Sequence, residues 1–493
     1  MSTPGKRKIG IIDQTFRDAP QSLWASRIST PMMLPVAEKM DHIGLDYMDV
    51  GGAGAIVDVA IRHLKENPWE RTRLLRERIR KTPMAFAIRS RNGIGFKIIP
   101  RDIQFLWVER RVNGSSGLRI LRSNDPLQDL DNIVPALKYA KEELGVYTVG
   151  ALAYGLSPVH TDEMYQAKAR ELIARANVSA IMIKDAGGLL TPDRIRTLVP
   201  ALKAVIGDLP LELHSHCMTG LAPLVYHEGV KLGVDQVHTS IAPLANGNGQ
   251  PAMQTMVRNL REMGYQVDVD DKLVEEVSRH FHRVAEQEGK PKGAAQEYDA
   301  FHFEHQLPGG MISNFKSQLA DIGQSDKLPA ILHECVQVRR ELGWPILITP
   351  FAQIVGTQAF LNVVNSERYK VVTDEVKRYV LGYNGKLLSP VEPNVLDKII
   401  ANGSPAIKPF KQEDEEPGLP ALRAKYPNMS DEERLLRDAY AGTQVDDMLA
   451  AGPMQTEYHF DTPAVRLLKE LAKRPKMARV FIQKKDLLID LKG

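Results

Sequence analysis

The sequence predicts an α/β protein built on a closed (β/α)8 barrel, followed by a mostly helical domain and a C-terminal extension. Three observations lead there. Over the first 240 residues, short apolar, β-prone runs alternate with longer amphipathic stretches. Eight such runs occur, spaced roughly thirty residues apart: KIGIID (8–13), LDYMDV (45–50), PMAFAI (83–88), GLRIL (117–121), VYTVGAL (146–152), VSAIMIK (178–184), LELHSH (211–216) and VDQVHTS (234–240). Strand–helix alternation makes a parallel sheet, and eight units close a barrel rather than leave an open edge. From about residue 252 the apolar period turns helical, in MQTMVRNLREM, DKLVEEVSRHFHRVAEQ, KLPAILHECVQVRRELG and SERYKVVTDEVKRYVLG.

Helix starts are marked between the runs. Thr30-Pro31 reads as a cap with proline in the first turn, and Thr191-Pro192 opens the stretch through IRTLVPALKAV in the same way. The chain is expected to divide into a TIM-barrel domain at 1–300, a helical domain at 301–403, and a linker with C-terminal extension at 404–493. The linker is SPAIKPFKQEDEEPGLP (404–420), rich in proline and acid; beyond it lie SDEERLLRDAY, TPAVRLLKELAKR and the apolar run VFIQKKDLLIDL.

Composition removes several function classes. The 493 residues exceed one compact core, and 43 % hydrophobic with 25 % charged residues is globular rather than disordered composition. A net charge of +3 supplies no basic field for nucleic acid. Two cysteines, Cys217 and Cys335, make no disulfide framework and fit a reducing compartment. The start MSTPGKRKIGIID has basic residues without a following apolar segment, and no run reaches membrane-helix length, so a cytoplasmic protein is expected.

In such barrels chemistry gathers at the C-terminal ends of the strands. His214 and His216 end the seventh run, in LELHSHC. Residues two apart on a strand face the same way, so the pair makes a half-site for zinc, manganese or cobalt; without a metal it would be two hydrogen-bonded histidines. Asp18, after the first run in DQTFRD, can reach the barrel axis, or else pair with Arg17. Lys184 closes the sixth run, in IMIKDAGGLL. Desolvation lowers a lysine pKa, the neutral amine reacts with carbon dioxide, and the carbamate is an anionic oxygen ligand; a surface pair with Asp185 is the plain alternative. DAGGLLTP offers backbone amides to an anion at a helix start, and PGGMISN (308–314) offers a flexible turn beside the Ser313 hydroxyl.

Eight stretches taken in order resemble one family: DQTFRDAPQSLWASR (13–27), DVAIRHLKENPWERTRLLR (58–76), SPVHTDEMY (157–165), IKDAGGLLTP (183–192), LELHSHCMTGLA (211–222), HQLPGGMISNFKSQL (305–319), ELGWPILITPFAQIVGTQA (341–359) and RYKVVTDEVKRYVLG (368–382). They are similar to the carboxyltransferases shared by pyruvate carboxylase, the α subunit of oxaloacetate decarboxylase and the metal-containing subunit of transcarboxylase, and most of all to the decarboxylase α-subunit branch.

The resemblance implies a metal-centred barrel followed by a helical, funnel-like domain that completes the active site. It implies the metal ligands Asp18, His214 and His216, with N-carboxylated Lys184 as the fourth. Arg17, Gln21 and Arg62 match positions that bind or polarise a 2-oxo acid. Ser313 matches the residue that relays a proton to and from biotin. The implied activity is carboxyl transfer between carboxybiotin and a small carbonyl substrate of the pyruvate or oxaloacetate kind, in the carboxylase or the decarboxylase direction. Neither an Ala-Met-Lys-Met-like biotin hairpin nor an ATP-grasp region is recognised. Biotin is therefore expected on a separate carrier protein, with a biotin carboxylase subunit as a further partner and a homodimer or higher oligomer of the chain itself. The basic stretch Lys473–Arg479 is a candidate docking point, or a solvated helix end.

Some positions leave the family's pattern. Cys217 follows the second ligand histidine. IRSRN (88–92) puts Ser90 in place of a glycine and adds Arg91, and LRILRSND (118–125) is one residue shorter and puts Arg122 near an acidic position. PLANGNGQP (243–251) lacks a Gly-Thr-Ser run. Extra arginines lead to the expectation of a more anionic substrate or a different acceptor. Metal-dependent aldolases and lyases share Arg-Asp after strand one and His-x-His, but lack the lysine ligand and the PGGMISN stretch. A non-catalytic scaffold would not need the retained ligand set.

Overall fold

The structure, a computed structural model, describes residues 7–52, 54–91, 98–114, 117–321, 323–365, 367–411, 415–440, 442–461, 463–472, 479–484 and 487–492. Each of the eight apolar runs forms a strand: β1 Gly10–Asp13, β2 Tyr47–Gly52, β3 Met84–Arg89, β4 Ile120–Asn124, β5 Tyr147–Ala153, β6 Ala180–Asp185, β7 Leu211–Ser215 and β8 Gln236–Thr239. They hydrogen-bond in sequence order into a closed barrel. Closure is made by parallel pairing of β1 with β8, from Gly10 opposite Gln236 to Asp13 opposite Thr239. Both faces of the strands are covered, which is why the runs read as nearly continuous apolar segments rather than alternating ones. Ile12, Ala85, Ile120, Val149, Ala180 and Met182 fill part of the interior, and small alanines leave room for larger neighbours across the axis.

Thr191 caps the helix Pro192–Ile206, its hydroxyl accepting from the Arg194 N–H at 3.1 Å. Thr30 behaves differently. Ser29 is the N-cap and Thr30 is the first helical residue of Thr30–Asp41. The buried Glu66 carboxylate accepts both the Thr30 N–H (3.0 Å) and its hydroxyl (2.6 Å), so Thr30 is drawn into the helix.

After the barrel, the helices Gly309–Asp321, Leu328–Glu341, Phe351–Val364, Asp374–Val380 and Pro393–Asn402 enclose a core of their own around Phe315, Val338, Leu342, Val355 and Tyr379. Gly309 and Gly310 open a helix instead of forming the expected turn. Helices Leu419–Lys425, Asp431–Ala439 and Gln444–Ala450 return to the barrel, where Leu422, Leu435, Leu436, Tyr440 and Met448 join its core. Trp69 Nε1–H donates to the Glu432 carbonyl (3.2 Å) and Arg73 pairs with its carboxylate (2.9 Å). The chain ends in a helix, Pro463–Ala472, and an antiparallel hairpin, Arg479–Lys484 with Leu487–Lys492. Among the described residues, no helix is long and apolar enough to cross a membrane.

Candidate metal centre

The strand ends bring four of the expected residues together. Lys184, on β6, stands opposite His214 on β7, and His216 follows one residue past the strand. Asp18 opens the short helix Asp18–Leu23 after β1. All four are buried. His214 Nε2 and His216 Nε2 each lie 3.1 Å from Asp18 Oδ2, and 3.2 Å from one another. Among the described residues these three are the one His/Cys/Asp/Glu group of that size with all ligand atoms within 4.8 Å. The three atoms lie close enough together to share one divalent cation.

The tautomers suit a cation. His216 Nδ1 lies 2.5 Å from the Asn248 carbonyl, which only accepts, so the proton is on Nδ1 and the Nε2 lone pair is free. Burial, reinforced by the nearby Lys184, holds the His214 pKa well below its ordinary value, keeping the ring neutral. Burial alone would raise the Asp18 carboxyl. The Arg17 guanidinium and Lys184 outweigh it and hold the group well below the carboxylate range. Burial, opposed by Asp18 and aided by Arg17, brings the Lys184 ammonium down to about 7. Gln250 Nε2 donates to Asp18 Oδ2 (2.6 Å) and sits 3.1 and 3.4 Å from the Nε2 atoms of His216 and His214. An amide donor thus stands where the three acceptors converge. The donor set of one carboxylate oxygen and two imidazole nitrogens fits a divalent ion.

The cluster opens on a cavity of about 190 Å³ lined by Arg17, Gln21, Arg89, Lys184, His216 and Thr349, among others. Arg17, Gln21 and Lys184 are therefore on its wall. Arg62 is not among the lining residues: it lies on the turn Ala60–Leu64, 45 % exposed, its Nε 2.6 Å from Asp58. The structure thus does not bring Arg62 to the cavity, because its guanidinium is engaged one turn away on the outside. Ser313 falls in the helix Gly309–Asp321, and its side chain lies outside the described residues; Pro308, just before that helix, lines the cavity. The stretch 473–478 also lies outside them.

Sequence reasoning passes over Arg89. It ends β3 one residue beyond the apolar run, donates to the Thr349 carbonyl (2.6 Å), and is lowered to about 10 by burial. Its position at a strand end is the available signal. Gln250 and Asn248 also escape it as individual residues, although they lie in the stretch 243–251 that departs from the family's pattern.

The departures from pattern have internal explanations. Arg122 points into the barrel and pairs with the buried Asp49. Arg91 donates to the Ile99 carbonyl (3.0 and 3.2 Å) and pairs with Glu415. Neither lines the cavity, so the expectation of a more anionic substrate on their account is withdrawn. Burial pushes the Cys217 thiol up to about 12, leaving a neutral thiol. Ser90 adopts a φ of +47°, the region that favours glycine. The amides of Leu189 and Leu190 donate to the Asp185 carboxylate (2.8 and 2.9 Å) and are not free for an external anion. Gly188 has φ +63°, and a Cβ there would lie 2.7 Å from the His216 carbonyl.

Comparison with known proteins identifies the family. A family model described as "Conserved carboxylase domain" matches residues 303–449, and one described as "HMGL-like" matches 124–280. The chain is 42 % identical over 400 residues to a pyruvate carboxylase subunit of Methanocaldococcus jannaschii, covering 81 % of this chain and 70 % of that one. It is 36 % identical over 399 residues to the 2-oxoglutarate carboxylase large subunit of Hydrogenobacter thermophilus, covering 81 % and 60 %. The carboxyl transferase domain of Rhizobium etli pyruvate carboxylase, solved with pyruvate, superposes with a TM-score of 0.82 at 25 % identity, over 91 % of this chain and 78 % of that one. The chain belongs to the pyruvate-carboxylase-like family of biotin-dependent carboxyltransferases.

Proposed function

We propose that the chain is the carboxyltransferase subunit of a multi-subunit biotin-dependent carboxylase, and that it carboxylates a small 2-oxo acid, pyruvate before others. The observation that carries this reading is the Asp18–His214–His216 cluster opening on a small cavity whose wall presents Arg17, Arg89 and Lys184. On this reading residues 1–300 are the catalytic barrel, 301–403 complete the site, the helices within 419–450 brace the barrel, and the rest of 404–493 serves subunit contacts.

Asp18, His214, His216 and carbamylated Lys184 would hold a zinc, manganese or cobalt ion, which would supply Lewis-acid polarisation of the substrate carbonyl. With its pKa brought down to about 7, a substantial fraction of Lys184 is neutral amine at neutral pH; its lone pair forms the N–C bond to carbon dioxide and one proton leaves. Arg89 gives the substrate carboxylate a planar fork, in place of Arg62. Arg17 lies beside Asp18 and adds positive charge where the substrate becomes anionic on losing a methyl proton. Gln21 offers an amide to the oxo group. Ser313 hands a proton to or from the biotin urea, a weak acid that works only in such a relay.

Biotin on a separate carrier protein supplies the carboxyl group. A larger cavity of about 650 Å³, between the helices Phe351–Val364 and Asp374–Val380, shares Thr349 with the small one and gives the biotin arm a route. A biotin carboxylase subunit recharges the carrier, and the chain itself forms a homodimer or larger assembly. The small volume, and the internal engagement of Arg91 and Arg122, support pyruvate over a dicarboxylate.

The purified chain, mixed with biotinylated carrier, biotin carboxylase, ATP and labelled bicarbonate, is expected to fix acid-stable label onto pyruvate faster than onto 2-oxoglutarate, and avidin is expected to abolish it. Fixation indifferent to avidin, or none with any 2-oxo acid while the carrier is demonstrably carboxylated, sinks the reading.

A further inference from the structure

Behind His214, away from the cavity, lies a chain of buried polar groups that the proposed chemistry does not use. His214 Nδ1 is 3.2 Å from His238 Nδ1; His238 Nε2 is 3.1 Å from Glu212 Oε2; and the Tyr47 hydroxyl donates to the same oxygen at 2.7 Å. His214, His238 and Glu212 are each 0 % exposed. Burying a carboxylate and an imidazole costs free energy that apolar side chains of the same size would not incur, so their presence calls for a reason.

The hydrogen-bond geometry supplies one. Arg122 Nη1 is 3.5 Å and Gln14 Nε2 3.0 Å from His238 Nδ1. A guanidinium has no acceptor, so His238 Nδ1 is an unprotonated lone pair and the ring proton is on Nε2, donated to Glu212. His214 Nδ1 must then carry the proton it shares with that lone pair; the opposite tautomer would set two lone pairs face to face. A neutral His214 with its proton on Nδ1 has its Nε2 lone pair free, and Nε2 faces Asp18 and His216. The Asn248 carbonyl does the same for His216.

We propose that Glu212 and His238 are a positioning pair for the metal centre, which locks His214 in the Nδ1–H tautomer and so presents its Nε2 to the ion. This rests on the metal reading of the Asp18–His214–His216 cluster. Arg122, the unusual residue of β4, sets the polarity of the chain, and Asp49 holds Arg122 in place. Such outer partners typically change metal affinity by about 10–100-fold.

Zinc affinity, measured by competition with a chromophoric chelator, tests the pair. His238→Leu is expected to weaken binding at least about 10-fold, and His238→Asn, whose side-chain oxygen can accept where Nδ1 does, to recover most of it. Wild-type affinity in a folded His238→Leu protein overturns the proposal. The second measurement needs no variant: in the metal-free full chain labelled with ¹⁵N-histidine, His214 is expected to carry its proton on Nδ1 and His238 on Nε2. A proton on Nε2 of His214 overturns the proposal by itself. A wild-type chain that shows these tautomers yet takes up no zinc, manganese or cobalt instead sinks the metal reading and leaves the tautomer assignment standing.

Discussion

At the scale of single residues, the cavity separates cations on its wall from cations engaged elsewhere. Arg89 is on the wall; Arg62 is half-exposed and paired with Asp58. A charged hydrogen-bonding partner of this kind contributes about 1.5–3 kcal/mol, so Arg89→Gln is expected to raise the KM for the oxo acid by about 10–100-fold. Arg62→Gln is expected to change it by less than about 3-fold, as for a surface pair. Steady-state kinetics on the reconstituted system distinguish the two, and equal effects would return Arg62 to the site. Asp13 gives a pH-dependent prediction. Burial, only partly offset by the Thr15 hydroxyl and amide, raises its carboxyl from 3.8 to about 7. A raised carboxyl pKa contributes stability that is complete below the unfolded value of 3.8 and is lost as pH rises through about 7. An amide fits the same bonds, with oxygen accepting the Thr15 N–H and nitrogen donating to its hydroxyl. Asp13→Asn is therefore expected to be more stable than the parent at pH 8, by on the order of 4 kcal/mol, and within about 1 kcal/mol of it near pH 4. Urea denaturation at the two pH values checks both the size and the sign.

At the scale of elements, the barrel uses the turns after its strands to place ligands. After β6 the Asp185 carboxylate gathers the amides of Leu189 and Leu190 and the Ser215 hydroxyl, tying this turn to β7. Gly188 lets the turn pass beneath His216, close to its carbonyl. Gly188→Ala combines a left-handed φ with contact against backbone. It is expected to cost about 1–2 kcal/mol of stability and to weaken metal binding by shifting His216. Thermal unfolding and chelator competition measure the two effects; wild-type zinc affinity in this variant would show that the turn does not set the position of His216. The difference between what is legible in the sequence and what is not is sharpest at this scale. All eight strands and the Thr191 cap can be read from the sequence, since apolar runs and caps are local signals. The Thr30 cap and the PGGMISN turn cannot, and at Thr30 the cause is a bond from Glu66, thirty-six residues away.

At the scale of the whole molecule, the segment beyond the linker is part of the barrel's packing. Leu435 and Leu436 are fully buried, and Tyr440 and Met448 nearly so, in the barrel's core cluster. Each such side chain contributes about 1.5–3 kcal/mol through burial. A chain truncated after residue 417 is expected to aggregate or unfold at a much lower temperature. One truncated after residue 461 is expected to keep its melting temperature to within a few degrees. Light scattering and calorimetry compare them. An unchanged melting temperature in the shorter chain would mean that the segment is dispensable for the fold.

The sequence by itself determined the barrel, the globular composition, and the likeness to a carboxyltransferase family. It also determined that His214 and His216 share a face, because a strand's two-residue period is carried by adjacent residues. Tertiary structure alone decided which charged groups line the cavity. Arg89, Arg91 and Arg122 are equivalent as letters. One faces the cavity, one binds Glu415, and one binds Asp49 in the barrel interior. Those partners are distant in sequence, and a charge in a low-dielectric interior is governed by whichever opposite charge the fold places beside it.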